Sequence, residues 1–378
     1  MSQAKKKVIL LIDSASEFDR KLLRGIVEYS NDNGPWQFYR MPPWTIWDPE
    51  GEKRILERAR NWKADAIIGL WNPTKEPQLS SLGIPVVLQN YHSRSSAYSV
   101  ITGDYIGTGS MAASFFIGRG AKNFAYFGLS GVVWSEERRQ GFEKTVSQAG
   151  YSTSVLETES LDNTSMITSW LVGLPKPVAL FACDDAHALA VSEICKVEGI
   201  RIPEDLQLLG VDNDDLLCEI SDPPISSIAL DVEKGGRMIC RLLDTQSKGN
   251  WKPFTVTIRP ICVVERSSTK RHLIADPIIE KVVNFLDDNF TRDLTMAEIL
   301  EPYPLSRRSI ETRFRKAMGT SIWQYLQNLR IEKFTRMLVS TDLPLKEIAL
   351  ECGFRDTDNI ARTFRKYHGI SPQEYRKH

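Results

Sequence analysis

The sequence of 378 residues lacks long apolar runs, an excess of charge of either sign, and any paired cysteine motif. No stretch approaches the ~18 apolar residues that a membrane span requires, so no membrane crossing is predicted. The basic start is followed by a run of only five apolar residues, Val8–Ile12, which is too short for the core of a signal peptide. These features predict a cytoplasmic protein.

The six cysteines form neither a CxxC pair nor a group with histidine. This spacing argues against a disulfide framework and against a structural zinc site, and favours buried free thiols. The sequence also contains no GxxxxGK[ST] phosphate loop, no GxSxG nucleophile elbow and no HExxH metal motif. We therefore predict no catalytic residue, no metal ligand and no cofactor.

Equal numbers of basic and acidic side chains, 48 of each, conceal an uneven distribution of charge. From Lys270 to His378 there are 19 basic and 15 acidic residues, whereas residues 1–269 carry 29 and 33. Such asymmetry suggests that the C-terminal part meets an anionic partner.

Short apolar runs alternate with helical patterns as far as Glu265, which predicts an α/β fold with parallel sheets. The runs are mostly non-alternating, as in strands buried on both faces. The predicted strands are Val8–Ile12, Ala66–Gly69, Pro85–Leu88, Ser99–Thr102, Phe124–Phe127, Pro177–Phe181, Leu206–Val211 and Val256–Glu265. The predicted helices between them are Asp19–Asn31, Glu52–Trp62, Gly107–Gly118, Ser135–Gly150, Asp185–Gly199 and Glu233–Thr245.

The length of this region favours two Rossmann-like lobes over one large sheet. We assign residues 1–266 to the two-lobed region and residues 267–276 to a polar linker. Residues 277–378 are assigned to an all-α domain, because the strand signal disappears there. Its predicted helices are Pro277–Asn289, Thr295–Leu300, Arg307–Met318, Ile322–Val339, Leu345–Cys352, Thr357–His368 and Pro372–Tyr375.

The helical domain contains an internal repeat. Met296–Ile299 matches Leu345–Ile348 at an offset of 49 residues, and Phe314–Gly319 matches Phe364–Gly369 at an offset of 50. Each copy is a short helix, a turn and a longer helix that ends at glycine. This pattern predicts two helix-turn-helix units.

The second helix of each unit combines a buried stripe with a cationic face, which suits the major groove of DNA. The linking helix Ile322–Val339 would span about 27 Å, so the two units could enter successive grooves ~34 Å apart. The alternative is an ordinary bundle with basic surface helices. The predicted DNA contacts are Arg307, Arg308, Arg313, Arg315, Arg355, Thr357, Asn359, Arg362 and Arg365.

Polar residues follow several predicted strands, where ligands bind in open α/β sheets. Carboxylates and a guanidinium can bond sugar hydroxyls, and a tryptophan can stack on a sugar ring. The predicted ligand-binding residues are Asp13, Asp104, Trp134, Arg138, Asp184 and Asp212. Each carboxylate could instead be a cap or a turn residue. A sugar-modifying enzyme with an accessory DNA module is the alternative function, since Asp212–Asp215 could bind Mg²⁺.

Residues 277–378 resemble the AraC-type DNA-binding domain. The resemblance rests on Ile348-Ala349, Cys352-Gly353-Phe354, Phe364-Arg365-Lys366 and Ser371–Arg376. The first unit departs from the family pattern, because Glu301–Pro304 places two prolines in its turn.

Residues from about Lys6 to Glu265 resemble the sugar-sensing core of LacI-type regulators, which has the type I periplasmic-binding-protein fold. Thr102–Asp104, Arg138–Phe142, Phe181–Leu189 and Gly210–Asn213 resemble family segments. The resemblance implies ligand roles for Asp104, Arg138, Asp184 and Asp212. Asp184 stands where the family has asparagine, which implies an altered preference among hydroxyls.

A LacI-like sensor followed by an AraC-like domain is similar to the regulators of xylose operons. This resemblance implies a sugar-responsive transcription regulator with D-xylose as effector, and leaves another pentose or hexose open. The hypothesis for the mechanism is that sugar closes the two lobes and changes how two copies of the chain associate on DNA, so we predict a homodimer, with RNA polymerase as a further candidate partner.

Overall fold

The computed structural model describes residues 5–72, 75–92, 97–245, 251–270, 274, 276–341, 343–354, 357–368 and 370–377. Its strands are β1 (Lys7–Leu11), β2 (Gln37–Arg40), β3 (Ala66–Trp71), β4 (Val86–Asn90), β5 (Ser99–Gly103), β6 (Phe124–Leu129), β7 (Thr153–Thr158), β8 (Val178–Ala182), β9 (Leu206–Val211), β10 (Ser226–Leu230), β11 (Thr255–Ile258) and β12 (Pro260–Val264).

The helices of the two-lobed region are α1 (Glu17–Asn33), α2 (Gly51–Trp62), α3 (Tyr105–Gly118), α4 (Val133–Gln148), α5 (Thr164–Gly173), α6 (Asp185–Glu198), α7 (Asp215–Ile220) and α8 (Val232–Thr245). Those of the C-terminal domain are α9 (Pro277–Asn289), α10 (Met296–Leu300), α11 (Arg307–Met318), α12 (Ile322–Ser340), α13 (Leu345–Glu351), α14 (Thr357–His368) and α15 (Pro372–Lys377). Within the described ranges, no helix is both long enough and apolar enough to cross a membrane.

Two six-stranded sheets form the two lobes. The first has the order β2-β1-β3-β4-β5-β11 and is parallel throughout. The second has the order β7-β6-β8-β9-β10-β12, and only its edge strand β12 is antiparallel. This architecture confirms the predicted fold class.

The chain passes between the lobes three times: after β5, after β10, and between β11 and β12. Hydrogen bonds join the passages, because Asp104 N donates to the Ile258 carbonyl over 2.8 Å and Asp231 N donates to the Arg259 carbonyl over 3.0 Å. The Asp231 carboxylate accepts a hydrogen bond from Arg259 N in return. The three connections therefore form one bonded hinge region.

The strands that the sequence prediction missed have identifiable features. β2 and β7 lie at sheet edges and carry polar residues, so they lack the apolar run typical of a central strand. β10 begins with Ser226 and Ser227, which are fully buried and hydrogen-bonded. The short helices α5 and α7 were also not predicted.

The single strand predicted over Val256–Glu265 is wrong. It is two strands, β11 and β12, which belong to different sheets. Arg259 separates them at the third passage between the lobes, where its backbone bonds to Asp231 instead of continuing a ladder. Apolar and β-branched residues continue on both sides of Arg259, so the composition did not reveal the break.

The C-terminal helices agree with the prediction to within two residues at each end. They enclose two separate apolar cores that share α12. Ile310, Phe314 and Leu326 lie in the first core, whereas Phe334 and Phe364 lie in the second. Ser268 and Thr269, within the predicted linker, are fully buried and hydrogen-bonded to the second lobe.

Helices α1 and α8 pack closely at Gly25, and a substitution there tests this packing. A Cβ at Gly25 would lie 2.0 Å from the Glu233 carbonyl oxygen. We expect Gly25→Ala to lower the free energy of unfolding by about 1–3 kcal/mol, because two backbones would have to separate. Chemical denaturation followed by circular dichroism measures this change.

Gly118→Ala is the matched control, since nothing lies within 4 Å of a Cβ at this helical position. It should be neutral or stabilising by up to about 1 kcal/mol. Equal unfolding midpoints for Gly25→Ala and the unsubstituted protein would contradict the described packing.

Candidate functional site

A cavity of about 250 Å³ opens at the carboxyl ends of β1 and β3 in the first lobe. Asp13, Asp19 and Asn72 provide polar groups in its wall, while Leu70 and Trp47 provide apolar surface. The complete lining is Leu11, Asp13, Ala15, Ser16, Asp19, Ile46, Trp47, Leu70, Asn72 and Tyr91. A wall with both polar and apolar parts suits a ligand with hydroxyl edges and C–H faces.

Arg138 is the central residue on the side of the second lobe. It projects from α4 and is buried, and its Nη1 donates to the Cys183 carbonyl over 2.5 Å. Its Nη2 lies 3.7 Å from Asp212 Oδ1. The guanidinium carbon lies 5.2 Å from the ring centre of Trp134 and 5.6 Å from that of Tyr105. Contacts on several sides therefore hold the guanidinium in one orientation.

Asp184 and Asp212 follow the neighbouring strands β8 and β9. Asp184 caps α6, and one of its oxygens accepts bonds from His187 N over 2.8 Å and His187 Nδ1 over 2.7 Å. Asp212 has a left-handed backbone with φ of 99°, which is unusual for a residue with a side chain. Backbone strain of this kind is concentrated at ligand-binding loops.

Electrostatic interactions across the cleft show which residues are neighbours. Asp19 of the first lobe interacts with Asp13 and with Asp212 of the second lobe. Tyr91 interacts with Asp19 and Asp212, and also with Asp184. Five of the six predicted ligand-binding residues thus gather around one cleft: Asp13, Trp134, Arg138, Asp184 and Asp212.

Asp104, the sixth predicted residue, has a different environment. Its side chain is exposed and caps α3 by accepting a hydrogen bond from Gly107 N over 2.9 Å. Within the described residues, this carboxylate does not contact the other five predicted residues.

Three buried polar atoms around the cleft have no hydrogen-bond partner within the described structure. They are Asp19 Oδ1, Arg138 Nε and Asp212 Oδ1. Leaving such atoms unsatisfied is unfavourable by roughly 1–3 kcal/mol each, so proteins normally provide a partner. Two acceptors and one donor therefore remain available to a ligand that has hydroxyl groups.

Burial controls the protonation of the cleft carboxylates. It raises the pKa of Asp19 to about 7, and the nearby Asp13 and Asp212 carboxylates raise it as well. Burial also raises the pKa of Asp212, although Arg138 opposes this change. Burial also acts to raise the pKa of Asp184. The positive charge of His187 and the hydrogen bonds from His187 have the larger combined effect, so the pKa of Asp184 is lowered.

Contacts at the rim hold the two lobes together. Arg20 Nη2 lies 2.8 Å from Asp214 Oδ2, and Lys21 Nζ donates to the Asp212 carbonyl over 2.8 Å. Val133 N donates to the Tyr91 carbonyl over 2.9 Å. The lobes therefore touch on both sides of the cleft.

Two groups of residues near the cleft could in principle bind a cation: Asp214 with Asp215, and Cys183 with Asp184 and His187. The contacts of both groups disfavour such a site. Asp214 caps α7 and pairs with Arg20, while Asp215 pairs with Arg266. The ligand atoms of Cys183, Asp184 and His187 lie within 4.8 Å of one another. However, Arg138 interacts electrostatically with both Cys183 and Asp184, and its positive charge opposes a metal ion.

The sequence prediction missed several residues of the cleft. Asn72 and Tyr91 follow β3 and β4, so the strand-end argument that identified Asp13 could have identified them. Asp19 lies in the first turn of α1 and is not among the predicted ligand-binding residues. Trp47 follows β2, which was not predicted, so no signal pointed to it.

The C-terminal domain presents a basic surface on α11 and α14, the second helices of its two helix-turn-helix units. Arg308 and Arg315 of α11 are exposed, as are Arg362 and Arg365 of α14. Arg307 is also exposed, and its Nε donates to Glu311 Oε1 over 2.8 Å. Arg355 and the side chains of Thr357 and Asn359 lie outside the described residues.

Arg313 has a structural partner. Its guanidinium binds both oxygens of Asp276 over 2.6 and 2.7 Å, and Asp276 caps α9. The Arg313 charge lowers the pKa of Asp276, against the effect of its burial. This ion pair gives Arg313 a structural role within the domain, and its DNA contact stays a prediction.

The two helix-turn-helix units are joined through a tight junction. The buried Arg330 in the middle of α12 donates to the carbonyls of Phe290 and Arg292 over 2.7 Å each. Gly353, in the turn of the second unit, has φ of 81°, and a Cβ there would lie 2.8 Å from the Thr291 carbonyl oxygen. These contacts fix the second unit against the end of α9.

Comparison with known proteins matches both parts of the chain. Residues 113–269 match the family model of the periplasmic binding protein-like domain, and residues 303–378 match that of a helix-turn-helix domain. The chain thus combines a periplasmic binding protein-like domain with a C-terminal helix-turn-helix domain. These matches confirm the resemblances inferred from the sequence motifs.

Similarity to several proteins extends over the whole chain. The xylose operon regulatory protein of Escherichia coli (strain K12) is 26% identical, and the alignment covers 100% of this chain and 98% of that protein. The protein of the same name from Haemophilus influenzae is 24% identical, with coverage of 100% and 99%. A solved structure described as the xylose-binding transcription activator xylR is 23% identical, with a TM-score of 0.61 and coverage of 100% and 99%.

The raised pKa of Asp19 predicts a pH dependence of stability. A carboxyl with a pKa of about 7 when folded and 3.8 when unfolded binds protons more tightly in the folded state. Its stabilising contribution is complete below about pH 4 and is lost as the pH rises to about 7. Asp19→Asn should therefore gain stability relative to the unsubstituted protein over this range, by up to about 4 kcal/mol.

Denaturation midpoints at several pH values, without added sugar, measure this effect. Asn72→Ala serves as control because it removes a neutral polar group from the same cavity. The difference between Asp19→Asn and the unsubstituted protein should change with pH, whereas that for Asn72→Ala should not. A constant Asp19→Asn difference between pH 4 and pH 8 would contradict the prediction.

Proposed function

We propose that this chain is a sugar-responsive regulator of transcription, with D-xylose as its effector. A monosaccharide binds between the two lobes, and the C-terminal domain binds DNA. The regulator acts in the cytoplasm as a homodimer, so that four helix-turn-helix units meet the promoter. Contact with RNA polymerase is a further part of the proposal, because one similar protein is described as an activator.

The set of unpartnered polar atoms in the cleft is the observation that supports sugar binding most directly. Asp19 Oδ1 comes from the first lobe, whereas Arg138 Nε and Asp212 Oδ1 come from the second. A polyol offers hydroxyl groups that donate to the carboxylates and accept from the guanidinium. One small sugar can therefore bridge both lobes.

The relatives support the choice of xylose and of a regulatory role. Two are named for the xylose operon, and the similar solved structure is described as xylose-binding. All three are named as regulators or as an activator, not as enzymes. The partners found for Asp214 and Asp215 also disfavour the alternative of an Mg²⁺-dependent enzyme.

Packing between the second lobe and α12 supports a route from sugar to DNA. Strand β12 lies against α12, the helix that joins the two helix-turn-helix units. Arg119 of the second lobe is buried, pairs with Glu265, and interacts electrostatically with Asp287 and Glu332 of the C-terminal domain. A change in the angle between the lobes would therefore be transmitted to α12.

Sugar can shift this equilibrium only by binding one arrangement of the lobes more tightly than another. A ligand that bonds Asp19 and Arg138 together favours the closed arrangement. We propose that closure changes how two copies of the chain associate, and so changes the spacing of their DNA-binding units.

Removal of the cleft guanidinium tests the sugar site. We expect Arg138→Gln to weaken D-xylose binding about ten- to hundredfold, because hydrogen bonds to a charged donor contribute roughly 1.5–3 kcal/mol. Asp212→Asn should weaken it as well. Isothermal titration calorimetry against a panel of pentoses and hexoses provides the measurement.

Asp162→Asn is the control, since this exposed carboxylate lies outside the cleft. Thermal unfolding of each variant shows that it remains folded. Unchanged affinity in folded Arg138→Gln would refute the proposed cleft contacts, and the absence of binding by any simple sugar would refute the proposed effector class.

Arg308 and Arg362 are the proposed base-reading residues of the two units. If either binds a guanine with two hydrogen bonds, its replacement by alanine should be unfavourable by about 1–3 kcal/mol at one base position. Quantitative binding to a set of singly substituted duplexes measures this loss. Arg201→Ala, an exposed arginine of the second lobe, is the control. A specificity profile unchanged by both substitutions would reject the assignment.

A further inference from the structure

A short segment after β2 places two tryptophans beside the sugar cleft. Pro43–Ile46 forms a single 3₁₀ turn that ends at Trp47. Trp47 lines the cavity, yet 59% of it is exposed. Trp44 is 67% exposed on the same turn. Both indoles therefore present apolar surface to solvent at the opening of the cleft.

Backbone geometry places the two indoles on the same side of the turn. Trp47 N donates to the Trp44 carbonyl over 3.0 Å, which is the hydrogen bond of a 3₁₀ turn. Side chains three residues apart on a 3₁₀ helix are eclipsed, about 6 Å apart along its axis. We therefore expect the Trp44 indole to lie beside that of Trp47, which lines the cavity.

The segment is firmly attached to the first lobe. Thr45, between the two tryptophans, is buried. The Thr45 carbonyl oxygen packs closely on Gly51, because a Cβ at Gly51 would lie 1.7 Å from this oxygen. The Asp48 carboxylate accepts hydrogen bonds from Glu50 N over 2.8 Å and from Arg54 Nη2 over 2.6 Å. The indoles therefore stand on a rigid base, which suits a binding surface.

Other tryptophans of the same lobe have partners within the fold. Trp36 packs against Tyr29 and Phe38, Trp62 packs against Tyr39, and Trp71 is buried. Among the described residues, neither Trp44 nor Trp47 stacks on another aromatic ring or on a cation. Exposed aromatic surface next to a polar cavity is typical of a carbohydrate-binding site, because an indole stacks on the C–H face of a sugar ring.

We propose that Trp44 and Trp47 form a second sugar subsite, so that the effector site also takes a disaccharide. The first sugar unit lies in the cavity among Asp13, Asp19 and Asn72, with Trp47 at its edge. The glycosidic bond leads outward, and the second unit stacks on Trp44. This inference rests on the proposed function, because it extends the same effector site.

Binding of D-xylose and of its β-1,4-linked dimer, xylobiose, to the full chain tests the subsite. Calorimetry should show that xylobiose binds at least as tightly as D-xylose. Trp44→Ala should weaken xylobiose binding about five- to tenfold and leave D-xylose binding unchanged. Trp47→Ala should weaken the binding of both sugars, because this indole also borders the first unit.

Trp323→Ala is the matched control, since Trp323 is a similarly exposed tryptophan in the C-terminal domain. It should leave the binding of both sugars unchanged, and thermal unfolding of each variant checks that the fold is retained. Failure of xylobiose to bind, or equal effects of Trp44→Ala on both sugars, would overturn the subsite while D-xylose binding left the proposed function intact. Binding of neither sugar would overturn both.

Discussion

The need to satisfy buried polar atoms is the constraint on which the cleft depends. Asp19 and Arg138 are buried and Asp212 is half-buried, and each has a buried polar atom without a hydrogen-bond partner in the described structure. Burial also raises the pKa of both carboxylates, which disfavours their charged forms. We propose that a ligand with several hydroxyl groups satisfies these atoms only when both lobes contribute, so that closure and binding are coupled.

The hinge between the lobes is connected to the DNA-binding domain. The three passages between the lobes are hydrogen-bonded to one another, and the third leads directly into β12. Strand β12 packs on α12, and this contact is the proposed route from the hinge to the helix-turn-helix units. Contacts of Arg330 and Gly353 hold α12 and the second unit against the end of α9.

Much of this organisation could be predicted from the sequence. Buried parallel strands have continuous apolar runs, and the repeat at an offset of about 50 residues revealed the two DNA-binding units. Edge strands β2 and β7 were missed because half-exposed strands lack such runs, and the division of Val256–Glu265 depends on tertiary contacts of Arg259. Asp13, Arg138 and Asp212 were identified from strand ends and family motifs. Asp19 and Trp47 were not, because a helix and an unpredicted turn carry them to the cleft.

The central claim is that one equilibrium links the sugar cleft to the DNA-binding surface. Thermodynamic reciprocity then requires DNA to change sugar affinity by the same factor by which sugar changes DNA affinity. The decisive measurement is the calorimetric affinity for D-xylose of the free protein and of its complex with a specific duplex selected from a random pool. We predict that the two affinities differ about five-fold or more, in a ratio equal to the effect of D-xylose on duplex affinity. Equal affinities with and without the duplex would contradict the account.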